Sequence, residues 1–260
     1  MHATALARLD REPTLPRLGG MARPDGVAIV SERFWAFAGV DGTLREGCMP
    51  KPRRVLRRVP FVRGLVRLSL SLSPLFRRGG VAEPRERVTL AAALAAPLVV
   101  AFLPHRLSLA ALVVLTVALV AWLLRGRTLA LHGAEHRAIA AAEERQLGAT
   151  WIGTARPTRF ALRCGTNFAA LVVPVSAGLQ RVWPFAPTLY TSAAVVLVSL
   201  ALTMELWLAI ERSTRRAARL FLLPGLGLQR VTTREPALAE TRVALRAVES
   251  VLRRESGLAY

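Results

Sequence analysis

The residues of this chain best suited to chemistry lie in His132-Gly133-Ala134-Glu135-His136, a run that continues to Glu143 and Glu144. Two of the four histidines fall there, at i and i+4 with a carboxylate between them. At about 3.6 residues per turn, His132, His136 and Glu143 share one helical stripe, with Glu135 about 60° to its side. Two imidazoles and a carboxylate can therefore face one point. The order His-x-x-Glu-His is the inverted zinc-hydrolase motif, in which histidine nitrogens hold Zn²⁺ and the glutamate handles a proton. The competing use of the same residues is a hydrogen-bonded polar network that fixes helix packing and carries no reaction.

The elements that must position this stripe read as membrane elements. The chain is 53% hydrophobic with long uncharged runs, and its net charge of +19 is almost wholly arginine, Lys51 being the only lysine. Such charge beside apolar segments sets topology and meets anionic lipid headgroups. No RNA- or DNA-binding motif accompanies it, so no nucleic-acid partner is expected. Cys48 and Cys164 are too few and too far apart for a disulfide framework, and are expected as free thiols. The early chain offers no signal peptide, because the first apolar run comes only after residue 88.

Along the chain, residues 1–18 read as a disordered tail. Residues 19–87 hold a small cytoplasmic antiparallel β-element over about 27–44, with an Asp41-Gly42 hairpin signal, and an amphipathic interfacial helix over 51–73, kinked near Pro60 and Gly64. Residues 88–211 contain apolar segments at about 88–103, 107–124, 164–180 and 187–210, expected as about four transmembrane helices in two hairpins. Only Arg106 and Arg181 sit in the short links, whereas Arg85, Arg87, Arg125, Arg127, Arg159, Arg163, Arg212, Arg215 and Arg216 flank the other ends. By the positive-inside rule both termini are cytoplasmic and the protein is a multi-pass protein of the bacterial inner membrane. Trp122, Trp183 and Trp207 read as interface anchors, and residues 212–260 as a cytoplasmic segment with an amphipathic helix over 236–254. The expected fold class is thus an all-α polytopic membrane protein with a β-hairpin element.

Five motifs, MARPDG at 21–26, RRVPFVRGL at 57–65, HGAEH at 132–136, RCGTNF at 163–168 and PGLGLQRVTTREP at 224–236, occur in an order that resembles the bacterial YqhQ-like membrane proteins, the DUF1385 group. The resemblance covers residues from about 19 to 253. That family is often labelled metal-dependent, which implies a metal site here. The pattern matches at His132, Glu135, His136, Glu143, Arg163, Cys164, Gly165, Thr166 and Glu205. It departs where the family carries a histidine two residues before the arginine of RCGT, a position held here by Ala161. Ala140 and Ala142 replace polar residues, and Leu18 stands where an N-terminal glutamate is usual.

Taken together, the expected site has His132 and His136 as Zn²⁺ ligands, Glu143 or the intramembrane Glu205 completing the sphere, and Glu135 as catalytic base; Glu205 reads equally as a buried carboxylate paired with an arginine or a helix N-terminus. With Ala161 in place of a ligand, remaining positions fall to water or Cys164, and binding is weakened. Arg163, Cys164 and Thr166 form an adjoining polar group, with Cys164 either a helix-N-terminal thiolate or a small packing residue. Straight continuation of the 107–124 helix would leave His132 about 12 Å outside the membrane edge, so a metal site shared with Glu205 requires a bend at Gly126. The function implied is a metal-dependent, hydrolase-like site at the cytoplasmic membrane face. Its alternative is a non-enzymatic scaffold or assembly factor that docks a protein partner.

Overall fold

A computed structural model describes residues 2–51, 54–77, 79–100, 105–186, 188–213, 218 and 220–257. The chain folds as an α+β protein built on a four-stranded antiparallel sheet in the order β1-β2-β3-β4, where β1 is Gly19–Arg23, β2 Gly26–Val30, β3 Phe34–Gly39 and β4 Leu44–Cys48. The β-branched and aromatic residues of β2 and β3 supply the strand signal. Their alternation gives two faces. Val27, Ile29, Ala36 and Ala38 join one core cluster, and Ala28, Trp35 and Phe37 join another with Val81. Gly26 admits no side chain, since a Cβ there would meet the Ala38 carbonyl oxygen at 2.3 Å. Gly42 turns the β3–β4 hairpin with φ 94°, and Asp41 Oδ1 accepts from Thr43 N at 3.0 Å.

Two helices cover the first face: α5, Thr128–Glu143, and α10, Leu238–Ser256. On α10 the stripe Thr241, Ala244, Leu245, Val248, Val251 and Leu252 is buried at helical spacing. On α5 the interior is alanine-rich, so the helix lies close to its neighbours. Residues 2–9, expected within a disordered tail, form α1, His2–Leu9, whose Leu6 and Leu9 are fully buried. Asp10 then caps α6, Leu147–Ile152, accepting from Leu147 N at 2.9 Å and Gly148 N at 3.0 Å.

The remaining helices are α2 (Val62–Phe76), α3 (Pro84–Val100), α4 (His105–Leu123), α7 (Gly165–Val182), α8 (Leu189–Arg212) and α9 (Leu223–Thr232). The all-α, four-span expectation is overturned here. Among the described residues one helix, Tyr190–Ile210 within α8, is long and apolar enough to cross a membrane, with mean hydropathy 2.2. Helix α3 opens on Arg85, Glu86 and Arg87, α7 carries Pro174, and the stretch of α4 that qualifies among the described residues, Val113–Trp122, is shorter. Residues 101–103 of the first segment, residue 187 of the fourth, and the flanking Arg215 and Arg216 lie outside the described residues.

The interfacial segment divides into a 3₁₀ turn, Arg54–Arg57, and α2, separated by Pro60 and by Phe61 at φ 65°. Glu205 of α8 holds this junction. Its carboxylate accepts from Phe61 N at 3.0 Å and from Arg63 Nε at 2.9 and 3.1 Å.

Candidate metal centre

The break between α4 and α5 falls at Gly126, with φ 63°, and α5 turns back onto the sheet. Its docking depends on a missing side chain. A Cβ on Gly133 would lie 2.1 Å from the Arg234 carbonyl oxygen, so glycine lets the 232–236 segment run against α5. That approach fixes His132: its Nδ1 lies 2.9 Å from the Thr232 carbonyl oxygen. One turn on, His136 Nδ1 lies 2.7 Å from the Arg159 carbonyl oxygen. A carbonyl oxygen only accepts, so both Nδ1 atoms carry the proton and both Nε2 atoms present lone pairs.

The two lone pairs meet different surroundings. His132 Nε2 lies 3.3 Å from Cys164 Sγ. His136 is 2% exposed, and its Nε2 is buried without any hydrogen-bond partner. Leaving such an atom unsatisfied costs about 1–3 kcal/mol. Histidines whose Nδ1–H is held by a carbonyl and whose Nε2 is bare have the arrangement of metal ligands.

The third member comes from α7. Cys164 is its N-cap in extended conformation, with Sγ 3.2 Å from Thr166 Oγ1 and 3.5 Å from Thr166 N. His132, His136 and Cys164 each offer one ligand atom, and these atoms all lie within 4.8 Å of one another. Ligand atoms on a tetrahedral zinc stand roughly 3.3–3.8 Å apart, given bonds of ~2.0–2.3 Å. The trio is thus close to a coordination sphere and needs a modest contraction to close on an ion.

Neither expected carboxylate ligand belongs to this trio. Glu205 is committed to Arg63 and Phe61, and Glu143 pairs with Arg163. Glu135 sits beside the histidines on the α5 face toward β1, packed so closely on Gly20 that a Cβ there would meet its side chain at 2.7 Å. It is 5% exposed, and burial pushes its carboxyl up to about 7, partly offset by His132. Glu135, His136 and Ala161 line one cavity of about 430 Å³, together with Trp207, Ile210 and Ser213 from the charged end of α8.

The loop that delivers Cys164 is held by residues given no role above. Gln229 of α9, fully buried, donates Nε2 to the Ala161 carbonyl at 2.7 Å and accepts from Ala161 N at 2.9 Å. Asn167 donates to the Ala161 and Leu162 carbonyls at 3.0 and 2.7 Å. Arg137 donates to the Pro157 carbonyl at 3.0 Å and to Glu235 at 2.6 Å. The signal for Gln229 and Glu235 lay in the PGLGLQRVTTREP motif, whose Gln229 and Glu235 act on the 157–164 loop, Gln229 directly and Glu235 through Arg137. Gly133→Ala is accordingly expected to lower stability by about 1–3 kcal/mol, since the introduced methyl must push back a backbone carbonyl. Thermal melts of the two proteins check this; equal midpoints would refute the close approach.

The family model described as "Protein of unknown function (DUF1385)" matches residues 87–254. The chain belongs to this family. A relative, "Uncharacterized protein YqhQ" of Bacillus subtilis, is 30% identical over 135 residues, covering 50% of this chain and 42% of that protein. The chain thus matches less than half the length of that relative. No solved structure matches it. His132, His136, Cys164 and the Gln229 brace all fall inside the matched span, while β1, which packs on Glu135, lies outside it.

Proposed function

We propose that this DUF1385 protein binds zinc through His132, His136 and Cys164 and acts as a hydrolase-like enzyme at the cytoplasmic face of the bacterial inner membrane. The observation that carries the reading is the buried, partnerless Nε2 of His136, held in the metal-binding tautomer by the Arg159 carbonyl. Two imidazoles and a thiolate suit zinc, a borderline-soft ion, and leave a fourth position for water or substrate. Zinc in such a site supplies Lewis acidity that polarises a carbonyl or phosphoryl oxygen and acidifies water.

The protein's own residues supply the rest. Glu135, with its carboxyl raised to about 7, exchanges a proton readily near neutral pH, which is what a general acid–base group requires. The Arg159 and Thr232 carbonyls hold the imidazoles in orientation, and Gln229 and Asn167 hold the loop. The membrane assignment rests on α8: Trp207, Ile210 and Ser213 at its end line the cavity, so a bilayer crossed by Tyr190–Ile210 would end where the cavity begins. The arginine-rich flanks then meet anionic headgroups. A substrate peptide or lipid can reach the cavity along that surface.

A second reading rests on Cys164. A thiol at a helix N-terminus beside an imidazole is a nucleophile pair, and the 3.3 Å separation from His132 fits it. That reading leaves the bare Nε2 of His136 without a use.

Metal analysis of the purified protein tests the proposal. Stoichiometric zinc is expected in the wild type and its loss in Cys164→Ser and in the His132→Ala, His136→Ala double variant. A folded wild type that takes up no zinc would remove the metal reading and leave the nucleophile pair or a non-enzymatic scaffold that docks a partner protein.

A further inference from the structure

On the side of α5 away from the imidazoles, a second cavity of about 360 Å³ lies between α6 and the start of α10. No residue of α3, α4, α7 or α8 lines it. Its walls include Arg137, Thr150, Arg156, Glu235, Ala237 and Leu238.

Three features make this cavity attractive to an anion. The first is an uncapped helix. Ala237 occupies the N-cap of the 19-residue α10, and alanine has no oxygen with which to accept from the first-turn amides. Those amides and the helix dipole present partial positive charge to the cavity. The second is excess cation. Arg137 is 7% exposed, and its partner Glu235 is shared with Arg159, at 2.6 and 3.5 Å respectively. Arg156 is exposed and makes no ion pair among the described residues. The opposing acid in the first turn, Glu240, is engaged by the amide of Ala237 at 2.8 Å.

The third feature points to a ligand independently of the other two. Thr150 is 1% exposed and lines the cavity, and its Oγ1 has no hydrogen-bond partner. A buried hydroxyl is normally satisfied.

We propose that this cavity binds a water-soluble, phosphate-bearing small molecule. The Arg156 guanidinium, the helix amides and the Thr150 hydroxyl, all at one cavity, suit an anion with several oxygens. The volume exceeds that of phosphate alone, leaving Ile152 and Leu238 to contact an organic remainder. Because none of the apolar helices lines the cavity, the phosphate comes from free solution and not from a lipid headgroup.

The test uses the whole 260-residue chain, chelator-treated and melted in inorganic phosphate or pyrophosphate against chloride at matched ionic strength. A saturable rise in melting midpoint is expected with phosphate and a larger one with pyrophosphate. Arg156→Ala should weaken the apparent affinity roughly tenfold, the loss of one charge-assisted contact. Ala237→Asp should raise the midpoint without phosphate and remove the response, because its carboxylate takes the helix amides. A wild-type shift no larger than that in chloride, or a response undiminished in both variants, would overturn the site. A response to phosphatidate vesicles with none to free phosphate would overturn the soluble ligand.

Discussion

Glu135→Gln is expected to remove a loss of stability that the chelator-treated wild type shows between about pH 4.5 and pH 7. In the fold the Glu135 carboxyl rises from 4.5 to about 7, chiefly because burial disfavours its charged form. The native state therefore holds this proton more tightly than the unfolded chain does. Below pH 4.5 both states are protonated, and the group contributes no pH dependence. Between the two values the unfolded chain has ionised while the native state has not, so stability falls as pH rises. Above about 7 both are ionised and the full cost persists. At about 1.36 kcal/mol per unit the total is on the order of 3 kcal/mol. Glutamine occupies nearly the same volume and does not titrate. Denaturant titrations of both proteins across this range measure the difference directly. Parallel curves would mean that Glu135 is solvated, and would remove its role as the proton-handling group.

The placement of Glu135 beside the two histidines is legible in the sequence for a local reason. The His132, Glu135, His136 stripe depends only on helix periodicity within α5, which needs no knowledge of what packs against it. Cys164 lies far along the chain from His132, and tertiary contacts such as the brace formed by Gln229 and Asn167 bring it to the imidazoles. For Glu205 the sequence leaves two readings open, a carboxylate paired with an arginine and a metal ligand, and in the structure Arg63 and the Phe61 amide at the mouth of α2 engage it.

The fold departs from the sequence reading for a related reason. Apolar runs of membrane length and one-sided arginines suggest four spans, yet among the described residues one helix, Tyr190–Ile210, is long and apolar enough to cross a membrane. The β-element was partly legible. The Val27–Val30 and Phe34–Phe37 runs and the Asp41-Gly42 turn carry strand and hairpin signals, whereas Gly19-Gly20-Met21-Ala22-Arg23 carries none and forms β1 only by pairing with β2. One of its glycines has a use that propensity does not reveal: at Gly20 the strand makes room for the Glu135 side chain.

Ala161→His is expected to tighten zinc binding by on the order of a hundredfold. Ala161 lines the cavity with His136 and Glu135, and its backbone is fixed on both sides by Gln229. An imidazole placed there can reach into the cavity without disturbing the hydrogen bonds that hold the loop, since those use only the main chain. Second-sphere partners of metal ligands are typically worth 10–100-fold in affinity, and a direct ligand should reach at least the upper end. Because an ion that binds only the native state adds RT ln(1 + [L]/Kd) to stability, the gain appears as about 2.7 kcal/mol of extra zinc-dependent stabilisation at equal free zinc. With chelator present the same substitution should be neutral or mildly destabilising, as a bulky polar ring enters a partly apolar cavity. The difference between the zinc and chelator melts isolates the metal from the packing change. If the histidine variant and wild type respond identically to zinc, the cavity does not adjoin a metal, and the convergence of His132, His136 and Cys164 serves the cysteine nucleophile or the packing of α5 against α7.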